Sequence, residues 1–146
     1  LPGVGFWLKT KSFAENKSAM ATLQSFEELE CWKACREVRQ WVGQLVKQLP
    51  REERYEFGDN INRATRSSTR NIAEGFGRHH HRENLQFCRM SRGSLTETLD
   101  DLITCRDEKY LSEEQYQHGR ELVTGAIRIL NGYIAYLQKV ADASTQ

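Results

Sequence analysis

Proline is nearly absent from this 146-residue chain, with Pro2 and Pro50 its only two copies. Long helices therefore meet few obligatory breaks. No apolar run approaches the roughly 20 residues needed to span a bilayer, and no charged start with an apolar centre resembles a cleavable secretory signal. A cytoplasmic protein without membrane association is expected. No CxxC pair, phosphate-cradling glycine loop, HExxH motif or nucleophile–base pattern occurs, so no sequence signal supports an enzyme or a cofactor. Glu74, Glu83 and Glu97 are scattered carboxylates with no second argument for acid–base work. No RNA-recognition module or aromatic base-stacking platform is evident.

What is present is ordinary in amount and uneven in placement. Apolar residues make up 38% and charged residues 28%, a composition that supports one domain with its own core. The net charge of +1 conceals an asymmetry. Between Asn62 and Arg82 five arginines face one acid, Glu74; between Glu83 and Tyr116 eight acids face four bases. Such a chain attracts phosphate on one face, or draws helices and subunits together by complementary charge.

The apolar spacing predicts helices throughout. Residues 1–19 read as a separate leader, either added or translated from upstream, and disordered unless Phe6, Trp7 and Leu8 dock. Residues 20–146 form the domain. A first helix is predicted from Ser25 to about Gln48, with Leu29, Trp32, Cys35, Val38, Val42, Leu45 and Leu49 as its core stripe. Leu49-Pro50 ends it. A second runs from about Glu52 to Gly77 with Phe57, Ile61, Ala64, Ser68 and Ile72 on one face. A third spans about Arg82 to Arg106 through Leu85, Cys88, Leu95, Leu99 and Leu102, and Gly93-Ser94 suggests a close helix approach. A fourth opens on the capping box Ser112 to Gln115 and stops before Ser144. Four helices with short connections predict an all-α, antiparallel up-down-up-down four-helix bundle.

These helices carry recognisable strings. They include Phe26-Glu27-Glu28-Leu29-Glu30 with Trp32 and Ala34, and Pro50 with Glu52, Glu53 and Tyr55. Ile61, Arg63 and Ala64 follow, then Asn71-Ile72-Ala73-Glu74-Gly75, Glu83 with Phe87, Gly93-Ser94-Leu95 with Glu97, and Tyr110-Leu111. Across about three quarters of the chain the pattern resembles the small four-helix proteins encoded in intervening sequences of bacterial 23S ribosomal RNA genes. The resemblance implies a bundle that assembles as a ring-like homopentamer with no attached enzymatic activity. More distantly it points to accessory proteins of diversity-generating retroelements, which bind nucleic acid and associate with a reverse transcriptase. Arg66 and Ser68 depart from the family's apolar tendency in the second helix.

Two sets of candidates follow. Lys33, Arg63, Arg66, Arg70, Arg78 and Arg82 are candidates for contact with an RNA or DNA backbone, and a ring would repeat each of them five times. Asn71, Glu74 and Gly75 are assigned to building the bundle and its assembly. Arg63, Ser67, Asn71 and Glu74 flank the core, where they either contact RNA or link helices and subunits; the linking role is favoured because buried polar groups need partners. Glu74 is expected to pair with Arg63, Arg78 or a neighbouring subunit.

Cys31, Cys35, Cys88 and Cys105 read as reduced, buried thiols rather than a zinc site. His79-His80-His81 reads as an exposed polar turn, with no metal expected. The leading functional expectation is a non-enzymatic oligomeric scaffold for structured RNA or a ribonucleoprotein. The alternative is a protein-binding adaptor, for example for a retroelement reverse transcriptase.

Overall fold

A computed structural model describes residues 12–145. Among these every regular element is helical: α1 (Phe13–Ala21), a 3-10 turn (Phe26–Glu28), α2 (Glu30–Val46), α3 (Arg51–Arg54), α4 (Phe57–Gly77), α5 (His81–Asp107) and α6 (Glu113–Ala143). None of the described helices is long and apolar enough to cross a membrane.

Residues 1–11 of the expected leader lie outside the described residues. From Ser12 onward the segment is helical, because Ser12 and Glu15 close a capping box with reciprocal 3.1 Å bonds. Phe13 meets the ring of Tyr136 at 5.8 Å, and Met20 and Leu23 pack on the core.

The first long helix starts later than its sequence predicts. Ser25 does cap, accepting from the Glu27 amide at 3.2 Å, but it caps the 3-10 turn. Leu29 is then extended and fully buried, so the chain turns a side chain inward before α2 begins. Its end is as expected. Leu49 is buried ahead of Pro50, and Arg54 Nε donates to the Leu49 carbonyl at 2.9 Å.

The second predicted helix is interrupted. α3 holds only Arg51–Arg54, and the chain passes Tyr55 and Glu56 before α4 starts at Phe57. Gly58 then seats against the end of α2: a β-carbon there would lie 2.8 Å from Val46 Cγ1.

The four long helices form a closed cycle of contacts, α2 with α4 and α6, α4 with α5, and α5 with α6. Val38, Val42, Ile61, Ile72, Leu95, Leu102, Leu130 and Leu137 are buried between them. Each large aliphatic side chain withdrawn from water contributes about 1.5–3 kcal/mol. At one end Gln115 Nε2 donates to Gln48 Oε1 at 3.1 Å, and Tyr110 donates to Glu53 at 3.1 Å. At the other, Asn84 Nδ2 donates to Tyr133 Oη at 2.9 Å.

The α4–α5 contact is unusual in being built from small hydroxyl residues. Thr65, Ser68, Ser91, Ser94 and Thr98 are all buried there. Most satisfy themselves on their own helix, as Ser68 does on the Thr65 carbonyl at 2.6 Å. Ser91 instead crosses to the Ser68 carbonyl at 2.7 Å, and Ser94 adds to its own-helix bond with the Met90 carbonyl at 3.2 Å a crossing contact with Ser67 Oγ at 2.9 Å. Ser68 is thus a tight interhelical contact, and its departure from an apolar residue is matched by a partner. Gly93 is exposed, with no neighbour within 4 Å of an added β-carbon. The close approach predicted at Gly93-Ser94 belongs to Ser94 alone.

Candidate nucleic-acid interface

Residues three and four apart share a helix face, so Arg63, Arg66 and Arg70 form one stripe along α4. All three are exposed. Each points away from the core because Ala64, Thr65, Ser68 and Thr69 occupy the inward positions between them.

Arg66 and Arg70 form one wall of a groove of about 290 Å³. The facing wall comes from the 3-10 turn and α2. It holds Phe26 and Trp32, whose rings meet edge-on at 5.3 Å, together with Arg39. Arg39 Nη1 donates to Thr69 Oγ1 at 2.9 Å, which fixes its guanidinium across the α2–α4 contact. Arg36 lies 5.8 Å from the centre of the Trp32 ring. Among the described residues, Arg63, Arg66 and Arg70 make no side-chain hydrogen bond or ion pair.

The other basic candidates are engaged by their own chain. Lys33 pairs with Glu30 at 3.1 Å one turn away. Arg78 pairs with Glu74 at 2.9 Å and sits 5.2 Å from the Phe87 ring centre. Arg82 Nη2 donates to Thr145 Oγ1 at 2.9 Å. The six predicted basic residues therefore do not form one surface. Arg66 and Arg70, with Arg63 in line, belong to the groove side of α4, whereas Arg78 and Arg82 flank the α4–α5 turn.

Asn71, Glu74 and Gly75 lie in α4 beside its contact with α5. Asn71 Nδ2 donates to the Ser67 carbonyl at 2.9 Å and to Ser67 Oγ at 3.0 Å, joining the pair formed by Ser67 and Ser94. A β-carbon on Gly75 would lie 2.7 Å from Asn84 Oδ1 and 2.8 Å from Phe87 Cβ. Glycine is the residue that lets α5 come this close.

His79 and His80 lie in the exposed turn between α4 and α5, and exposed His81 opens α5. His79 takes a left-handed conformation, φ 53°, and His80 caps α5 by accepting from the Glu83 amide at 3.4 Å. Partial burial lowers the pKa of His81, and neighbouring His80 and Lys17 add to the effect. Among the described residues no group of three or more His, Cys, Asp or Glu side chains is placed to hold a metal ion. The four cysteines are free and buried. Burial pushes Cys35, Cys88 and Cys105 up to about 12, and Cys31 well above its ordinary range, so these thiols stay protonated and unreactive.

Arg39 and the aromatic wall are absent from the residues that the sequence singles out for binding. A signal was present, since Trp32, Arg36 and Arg39 recur at spacings of four and three on one face of α2. What the sequence does not contain is the packing of that face beside Arg66 and Arg70.

The family model of the 23S rRNA-intervening sequence protein matches residues 27–132. The chain belongs to this family. The match takes in α2 to α5 whole and most of α6, and includes every groove residue named above except Phe26; α1 lies outside it. No curated protein matches the chain. The family description is compatible with an RNA-associated role.

Proposed function

We propose that this protein is a non-enzymatic, cytoplasmic helical scaffold that holds the backbone of structured RNA, or of a ribonucleoprotein, through Arg63, Arg66 and Arg70. The observation that carries the reading is the contrast among its basic residues. Among the described residues Lys33, Arg78 and Arg82 have partners, while these three arginines stand exposed without one. Unpaired guanidiniums on one helical stripe offer the forked donor geometry that phosphate oxygens accept.

The finer architecture belongs to the same proposal. The end contacts of α2 with α6, and of α5 with α6, support an antiparallel up-down-up-down bundle. Family membership supports a homopentamer, in which each stripe recurs five times. Light scattering is expected to give about five times the 17.0 kDa chain mass; a stable monomer overturns the ring.

Fluorescence anisotropy with a labelled, structured RNA tests the binding. The logarithm of affinity is expected to fall linearly with the logarithm of salt concentration, by about 0.7–0.9 per phosphate neutralised. Arg66→Glu with Arg70→Glu should weaken binding and flatten that slope, with thermal stability retained. Salt-insensitive binding, or binding untouched by the double change, overturns the electrostatic reading and leaves a protein-binding adaptor, such as a reverse-transcriptase accessory subunit, as the reading to pursue.

A further inference from the structure

We propose that the groove between the Phe26–Trp32 pair and α4 is a subsite for one unpaired nucleotide. Its base lies on the aromatic wall and its phosphates face Arg66 and Arg70. This inference rests on the nucleic-acid reading above and narrows it from a backbone surface to a strand with exposed bases.

The chemistry of the two walls carries the argument. Arg66 and Arg70 supply two guanidiniums that have no side-chain partner among the described residues. Opposite them, Phe26 and Trp32 are half-buried, so part of each ring packs on the core while the rest lines the groove. Their edge-on contact at 5.3 Å holds both rings in place before any ligand arrives. Aromatic faces beside a basic track are the two components by which proteins hold single strands, the rings taking bases and the cations taking phosphates.

Two further arginines fit the same occupant. Arg39 spends one donor on Thr69, and a guanidinium has five, so a fixed fork remains beside the groove. Arg36 stands 5.8 Å from the Trp32 ring centre, a planar cation at an aromatic ring, and guanidinium planes also stack on bases. The volume of about 290 Å³ is at the lower limit of small-ligand sites. It suits one base with its sugar, whereas a duplex, whose bases are turned inward, offers the rings no open base face. A peptide with acidic side chains would satisfy the arginines and leave the rings without a planar partner.

The test uses the full chain and three labelled probes of equal length: a twelve-nucleotide oligouridine, an abasic strand of the same charge, and an RNA duplex. Oligouridine is expected to bind roughly tenfold more tightly than the abasic strand, within the range for one stacked base. It should also outbind the duplex. Trp32→Leu is expected to abolish the preference for bases while leaving the salt slope unchanged, and circular dichroism checks the fold. The wild-type comparison of oligouridine with the abasic strand requires no variant, so a misfolded Trp32→Leu does not blunt the test.

Equal affinity for oligouridine and the abasic strand, with a normal salt slope, overturns the nucleotide subsite and leaves the backbone reading standing. A preference for bases that survives Trp32→Leu does the same. Salt-insensitive binding, or none to any probe, overturns both. Binding of a twelve-residue polyglutamate as tightly as oligouridine marks a protein partner and also overturns the subsite.

Discussion

Replacing Gly75 by alanine places a methyl group where α4 and α5 already touch. The new β-carbon would lie 2.7 Å from Asn84 Oδ1, 2.8 Å from Phe87 Cβ and 3.2 Å from Asn84 Cα. Comfortable carbon contacts lie near 3.5–4.0 Å, so α5 must retreat by somewhat under ~1 Å. Asn84 Oδ1 ends a side chain and can turn, but Phe87 Cβ and Asn84 Cα are on or next to the α5 backbone and cannot swing aside. Overpacking of this kind costs about 1–3 kcal/mol, and alanine returns up to about 1 kcal/mol through helix propensity. Moving Asn84 also strains its 2.9 Å bond to Tyr133, worth about 1 kcal/mol. The expected net loss is about 2 kcal/mol, a fall in Tm of roughly 6–8 °C for a chain of this size. Thermal unfolding by circular dichroism at fixed protein concentration measures it. Gly93→Ala is the matched control, because no atom lies within 4 Å of its added carbon; it should be neutral or stabilise by up to about 1 kcal/mol. Equal gains from both substitutions would refute the close α4–α5 approach.

Other substitutions probe different parts of the same helices. Ser91→Ala removes the 2.7 Å bond to the Ser68 carbonyl and should cost about 1 kcal/mol in urea unfolding, while Ser91→Leu should cost more by forcing the hydroxyl seam apart. Tyr133→Phe takes away the acceptor of the buried Asn84 amide, for an expected loss of about 1–3 kcal/mol. Burial, followed by the charges of Glu97 and Asp100, raises Asp101 to about 6. Its folded form therefore holds its proton more tightly than the unfolded chain does, and its contribution to stability, full in acid, fades as pH rises from about 4 through 6. Asp101→Asn should accordingly stabilise at pH 7.5 by up to about 1 kcal/mol after allowance for solvent screening, and give no gain at pH 4, as read from paired melting curves.

The sequence makes the helical stripes legible because period alone determines them. Val38, Val42, Leu45 and Leu49, and Leu85, Cys88, Leu95 and Leu102, are buried as their spacing implies. The α6 start is legible because Ser112 and Gln115 form their box within four residues. The interruption at Tyr55–Glu56 is not, since no proline or glycine marks it and the tertiary seat of Gly58 against Val46 lies on another helix. Periodicity also passes over Thr65, Ser91 and Thr98 as core residues, because a hydroxyl is buried cheaply only when a neighbouring carbonyl accepts it. The candidate site divides in the same way. Arg63, Arg66 and Arg70 follow from α4 alone, whereas the wall of Phe26, Trp32 and Arg39 depends on how α2 meets α4. Glu74 finds Arg78 one turn along, a pairing that helical spacing does offer.

The four interior cysteines give the molecule an intrinsic footprinting scale. Two lie on α2 and two on α5, and a thiol reagent reaches them only when those helices part. Labelling that strikes Cys31 and Cys35 ahead of Cys88 and Cys105 identifies α2 as a unit that detaches first, whereas simultaneous labelling makes opening a single cooperative event. The order of modification, read peptide by peptide, thus turns a static list of buried sulfurs into a chronology of how the helices come apart.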